Sequence, residues 1–200
     1  MIQKFAETSL PINEIISKRW SPRAFDINKK VKENDVIAIC EAARWAPSCI
    51  NEQPWRFIVW DYYKNPDSYN RALKCMSPSN QKWVKNAPIV IASFANNTFK
   101  SDNSENRWGQ HDTGLATQNI LLQAFALGLV AHPLGGFEMD ILKSEFNIPD
   151  NYTPMTFIAI GYQAEAEILD ERNAKREYAT RERMPLNQLF FDSAWENGLM

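Results

Sequence analysis

Apolar positions along this chain alternate between a helical and a strand period. Val36, Ile39, Cys40 and Ala43 recur at i, i+3, i+4 and i+7. That spacing predicts a helix over 33–46, stopped by Pro47. Upstream, Pro11 can open a helix over 12–19 with Ile12, Ile15 and Ile16 on one face. Ser21-Pro22 ends it, because the residue before a proline avoids helical angles. Trp55 to Trp60 (WRFIVW) is dense in β-formers and predicts a strand. The stretches 66–76 and 81–85 read as helical. Pro88 to Ala95 (PIVIASFA) has the continuous apolar character of a buried central strand. A polar stretch, 96–106, reads as a loop. The longest predicted helix, 110–127, is apolar nearly all round through Leu115, Ala116, Ile120, Leu121, Leu122, Ala124 and Phe125. Gly128 is its natural stop. A helix over 139–146 and a strand over 156–162 follow. The remaining tail, 163–200, is charged as far as Pro185 and amphipathic beyond it.

Few strands separated by helices predict an α+β fold, with helices covering a small mixed or antiparallel sheet. The 200 residues suit a single domain over 1–200. Two features strain a monomer: the central helix with no polar face, and a long tail with little core signal of its own. Both predict a homodimer in which the tail reaches across to a partner.

Composition narrows the chemistry. The formal net charge is -2, which disfavours a nucleic-acid binder but leaves room for a local basic pocket. Cys40, Cys49 and Cys75 form no C-x-x-C pair, and His111 and His132 are the only histidines. No metal site is therefore expected. No G-x-G-x-x-G occurs. Gly109 and Gly114 have phosphate-loop spacing, but Leu115 and Ala116 stand where Lys and Ser or Thr are needed. The start lacks an apolar leader, and no run approaches the roughly 18 apolar residues of a membrane span. A cytoplasmic protein with reduced thiols and no membrane contact is expected.

Four segments carry candidate chemistry, and each has a plain reading beside the functional one. Arg19 and Arg23 flank Ser21 where a helix becomes extended. Guanidinium forks match phosphate oxygens, but basic residues also complement a helix C-terminus. Pro47-Ser48-Cys49-Ile50-Asn51-Glu52-Gln53-Pro54-Trp55 links a helix to a strand. Its uncharged donors and acceptors suit a heteroaromatic edge, though an ordinary connecting loop needs nothing more. In His132-Pro133-Leu134-Gly135-Gly136-Phe137, paired glycines let backbone approach a flat ligand, or simply make a turn. Arg181 and Arg183 project the same way from extended chain, toward a phosphate or toward solvent. His111-Asp112 suggests an acid/base pair, but helix neighbours do not face each other, so it is read as structural.

Taken together and in order, these segments resemble the FMN-dependent nitroreductase family. The resemblance rests on Arg19-Trp20-Ser21-Pro22-Arg23-Ala24-Phe25 and on Pro47 to Trp55. It continues through Asn80 ahead of Ala87-Pro88, Gly128-Leu129 with Pro133 to Phe137, and Arg181 to Leu186. It spans essentially the whole chain.

The resemblance implies a nitroreductase-like fold, an intertwined homodimer with exchanged tails, and one FMN at each interface. It implies that Arg19, Ser21, Arg181 and Arg183 hold phosphate and ribityl groups, and that Arg23 and Asn80 meet the N1–C2=O and N3 side of the ring. Pro47, Ser48 and Asn51 would come from the other subunit, and Gly135 and Gly136 would face O4 and N5. Trp20, Cys49, Gln53, Pro133 and Leu134 fall in the same cofactor-binding segments. Trp20 and Gly135 depart from the commonest family pattern, which bears on the site wall and on substrate choice. The activity implied is hydride transfer from NADH or NADPH through FMN to a nitroaromatic, quinone or other flat acceptor by a ping-pong route. FMN carries the chemistry, and no side chain is expected to be catalytic. Rival readings are reductive dehalogenation or C=C reduction on the same flavin fold, and a flavin-binding sensor or storage protein plugged by Trp20, Trp83 or Trp108.

Overall fold

The computed structural model of the chain describes residues 2–199. Its helices are α1 (Glu14–Lys18), α2 (Glu33–Arg44), α3 (Pro66–Lys74), α4 (Pro78–Val84), α5 (Gly109–Ala126), α6 (Met139–Glu145) and α7 (Glu171–Tyr178). Its strands are β1 (Trp55–Asp61), β2 (Ile89–Asn96), β3 (Val130–Leu134) and β4 (Tyr152–Gly161). All neighbouring strands run antiparallel, in the order β1-β2-β4-β3. The α+β expectation therefore holds, with an antiparallel sheet.

The central strands explain their own sequence. Every residue of β2 is buried, so both faces of the sheet are covered. Alternation at period two then sorts side chains between two cores. Ile89, Ile91, Ile158 and Ile160 pack with Ile39, Ala43, Ala116, Ile120 and Ala124 of α2 and α5. Val90, Ala92, Phe94, Phe157 and Ala159 face Phe25, Trp60, Tyr69, Met76 and Trp83. Local chemistry sets the helix ends. The Asn65 side chain accepts from Ser68 N ahead of Pro66, and Asp170 accepts from Asn173 N.

The structure corrects several boundaries. The stretch 130–134, read only as part of a glycine turn, is an edge strand paired to β4 alone. An edge strand tolerates Pro133, whose missing N–H can face outward. β4 begins at Tyr152, before the expected 156, and Pro154 lies where the β2–β4 register shifts at Ser93/Phe94. α1 is shorter than expected, α4 starts earlier, and the charged tail contains α7. The central helix is buried on one side only: Leu115, Leu122 and Phe125 remain half-buried. Its start rests on the end of β2, where a Cβ on Gly109 would lie 2.3 Å from the Asn96 carbonyl oxygen. Glycine is required there by space, not by a turn. Among the described residues, no helix is long and apolar enough to cross a membrane.

Candidate functional site

Three guanidinium groups from the two ends of the chain converge where α1 ends. Arg19 is the C-cap of α1, and Arg181 and Arg183 follow α7. Burial, together with the positive charges of Arg181 and Arg183, pushes the Arg19 guanidinium below its ordinary pKa. Burial and Arg183 do the same to Arg181. None of the ion pairs among the described residues uses these three arginines. Like charges gathered without a carboxylate are costly unless an anion joins them. The local bonds aim the cluster. Arg19 Nη1 donates to Ser21 Oγ at 3.2 Å, which leaves the serine hydroxyl proton for another acceptor. Arg181 Nη1 donates to the carbonyls of Lys4 at 2.9 Å and Ser17 at 2.7 Å. Lys4 Nζ lies 4.3 Å from the centre of the Trp20 ring, which keeps that buried indole beneath the cluster.

Beside this cluster is a polar cleft of about 70 Å³, lined by Arg23, Asn80, Trp83, His132, Arg172 and Arg176 among others. Arg23 lies 6.0 Å from the Trp83 ring centre, and the His132 ring centre lies 4.6 Å from it with the two planes tilted by 39°. Asn80 Nδ2 donates to the Gly136 carbonyl at 3.0 Å, and Asn80 Oδ1 accepts from Trp83 Nε1 at 3.3 Å. These bonds tie the start of α4 to the segment after β3. A Cβ on Gly136 would sit 2.5 Å from Asn80 Nδ2, whereas one on Gly135 would meet nothing within 4 Å. Both glycines are exposed. Backbone amides are thus offered to open space directly beyond Pro133 and Leu134.

The Pro47–Gln53 loop does not join this group. It leads into β1 at one edge of the sheet, while Gly135 and Gly136 follow β3 at the other. Three inter-strand spacings separate those edges, roughly 14 Å. Within the loop, Ile50, Asn51 and Gln53 all hold positive φ, at 54°, 54° and 48°. Side chains other than glycine pay for that conformation, and surrounding bonds enforce it. Gln53 N donates to Ser48 Oγ at 3.0 Å, Gln53 Nε2 donates to Asn51 Oδ1 at 3.1 Å, and Cys49 N donates to Asp112 Oδ2 at 2.9 Å. Pro47 and Asn51 are exposed. The loop presents Pro47, Ile50 and Asn51 outward, while Glu52 turns inward and accepts from Lys100 N at 2.7 Å.

The profile of the nitroreductase family matches residues 16–162. This chain belongs to the nitroreductase family. A relative in Methanothermobacter thermautotrophicus, provisionally named an NADH dehydrogenase/NAD(P)H nitroreductase, is 30% identical over 165 residues, covering 79% of this chain and 80% of that protein. A crystal structure described as an oxidoreductase containing FMN superposes with a TM-score of 0.89 at 30% identity, covering 94% of this chain and 95% of that one. An FMN-dependent nitroreductase from Clostridium difficile gives a TM-score of 0.62 at 27% identity, over 74% of this chain and 84% of that one.

For this nitroreductase-family chain, the structure also supplies residues that the sequence pattern left unassigned. His111 and Asp112 do meet, His111 Nδ1 to Asp112 Oδ1 at 2.9 Å, contrary to the helical-neighbour argument. The other oxygen of the buried Asp112 holds Cys49 N, so this first-turn carboxylate anchors the Pro47–Gln53 loop. No cluster of three or more metal-ligating side chains occurs among the described residues. His132 is a floor of the cleft: it is buried, and its Nδ1 donates to the Pro22 carbonyl at 2.9 Å. Burial lowers its pKa from 6.5 to about 4, with Arg23 and Arg19 adding to the shift and the backbone bond opposing it.

The imidazole is therefore neutral in the folded protein at neutral pH. Below pH 6.5 the unfolded chain takes up a proton that the folded chain refuses until about pH 4. Stability is accordingly lost as pH falls through that window, by about 3 kcal/mol in total. Denaturant unfolding of the wild type and His132→Gln from pH 7 to 4 should show the wild type losing that much more than the variant. Parallel curves would mean that His132 titrates alike in the folded and unfolded chain.

Proposed function

We propose that this protein is an FMN-dependent oxidoreductase that takes reducing equivalents from NADH or NADPH and passes them to nitroaromatic, quinone or similarly flat acceptors. The observation that carries this reading is the trio of the partly buried Arg19 and Arg181 with the exposed Arg183, which has no carboxylate partner among the described residues. A doubly charged phosphate monoester fits that donor set, with Ser21 as a neutral donor beside it. The names of the similar proteins support the same reading. FMN, when bound, supplies the redox chemistry. The chain's own groups bind and orient. With FMN bound, Arg23 and Asn80 would hold the pyrimidine side of the ring, Arg23 placing positive charge where negative charge builds up on reduction, and the amides around Gly135 and Gly136 would hold the opposite edge. One open ring face would serve donor and acceptor in turn, with no side-chain nucleophile called for. We place the enzyme in the cytoplasm, where Cys40, Cys49 and Cys75 stay free.

The same reading includes a homodimer with exchanged tails. Its support is the unpaired outer edge of β1 and an apolar groove of about 300 Å³ beside it, lined by Cys40, Ala43, Trp55, Phe57, Val59 and Ile120 among others. The tail carries the apolar cargo for such a groove: Leu189, Phe190, Trp195 and Leu199 are all exposed. Exposed apolar surface on this scale is characteristic of association sites. A partner would also bring its Pro47–Gln53 loop to the cleft that this chain's own loop does not reach.

The phosphate assignment is tested by titrating apoprotein with FMN and riboflavin. Arg19→Ala and Arg183→Ala should each weaken FMN by about one to two decades, since a charge-assisted contact is worth roughly 1.5–3 kcal/mol. Riboflavin, lacking the phosphate, should bind the wild type and both variants alike. Equal losses for the two ligands would remove these arginines from the site. Initial rates at several fixed acceptor concentrations should give parallel double-reciprocal lines, and intersecting lines would mean two separate binding faces. Deleting residues 186–200 should convert a dimer into a monomer by sedimentation and strip the flavin with it. A truncated chain that stays dimeric would rule out the exchanged tail.

A further inference from the structure

The tail helix α7 contributes a carboxylate that the flavin assignment does not use. Glu177 is 0% exposed, in the last turn of the helix. Its Oε1 accepts from Arg23 N at 3.0 Å and Ala24 N at 3.2 Å, and its Oε2 accepts from Arg23 N at 2.9 Å. Burial nevertheless pushes this carboxyl above its ordinary pKa, against the pull of those N–H groups, Arg23 and Lys4. An ionised carboxylate in such a place is a weak source of stability. What it does supply is geometry. Both N–H groups it holds belong to the two-residue stretch that projects Arg23 into the cleft beside Trp83. The chain beyond it reinforces the hold, as Lys4 Nζ donates to the Ala179 carbonyl and Arg181 donates to the carbonyls of Lys4 and Ser17.

We propose that Glu177 is a positioning residue of this enzyme: by gripping the Arg23 and Ala24 amides from the tail, it sets where the Arg23 guanidinium stands against the flavin ring. This rests on the flavin reading above. Glu177 acts through Arg23 alone, so its removal should do nothing once the Arg23 side chain is gone. Neither group addresses the phosphate, so FMN and riboflavin should suffer equally, unlike in Arg19→Ala.

The test is a double-variant cycle read by flavin titration of apoprotein, by the visible spectrum of bound flavin and by apoprotein thermal unfolding. Glu177→Gln keeps the shape but turns an amide N–H₂ toward the backbone donors. It should weaken FMN and riboflavin about tenfold each and shift the bound-flavin spectrum as Arg23→Ala does. In the Arg23→Ala background it should change affinity by less than twofold, while in the Arg19→Ala background its full tenfold should persist. Glu177→Asp, one methylene too short to hold both amides, should repeat this pattern and serves if the glutamine variant does not fold. The proposal is overturned if the Glu177 effect is the same size with and without the Arg23 side chain. It is equally overturned if affinity falls only in step with apoprotein melting temperature. A wild-type protein that takes up no flavin would instead bring down the flavin reading itself, and this proposal with it.

Discussion

The two inner strands of the sheet, β2 and β4, are covered on both faces, and every polar feature of the protein has to be built around that dry centre. A strand buried on both sides can carry no side chain that needs water. Chemistry is therefore displaced to strand ends and to the segments that wrap the sheet. The Gly135–Gly136 segment leaves β3, the Pro47–Gln53 loop enters β1, and the Arg19–Arg23 segment crosses between α1 and the Phe25–Gln163 bridge. The sheet's width keeps the first two apart. The core thus fixes how far apart the two loops stand within one chain.

Electrostatics organises the remainder. Arg19, Arg181 and Arg183 repel one another across a partly desolvated space, and covalent continuity alone would let the tail swing away. It is held by neutral partners instead: the carbonyls of Lys4 and Ser17 take the Arg181 N–H groups. Carbonyls satisfy donors without cancelling charge, so the positive potential remains. A carboxylate in the same place would have steadied the tail better and neutralised that charge. The one buried carboxylate nearby, Glu177, is spent on backbone amides, which has the same consequence.

Much of this was legible in the sequence, for physical reasons specific to each element. α2 declares itself through i, i+3, i+4 spacing, α5 through a long stretch apolar nearly all round, and β2 through a run that is apolar but for Ser93 as far as Ala95. The arginines, Asn80 and the glycine pair were visible because their types match one chemistry in a fixed order. β3 was hidden because Pro133 and the following glycines read as a turn, and only pairing to β4 makes five such residues a strand. α7 was hidden because a charged helix has no apolar stripe to show; its buried residues, Asn173 and Glu177, are polar. His132 and Glu177 left no local signal. Each works through a bond to a residue over a hundred positions away, and such contacts are absent from any window of sequence.

The adjacent glycines of the cleft carry opposite constraints. A Cβ on Gly136 would meet the Asn80 amide at 2.5 Å and the Ser77 hydroxyl at 3.0 Å, so a side chain there has to push both groups aside. A side chain on Gly135 enters empty space and costs the fold nothing. A side chain at Gly135 would narrow the open space in front of the Gly135 and Gly136 amides while leaving the Asn80 bond to the Gly136 carbonyl in place.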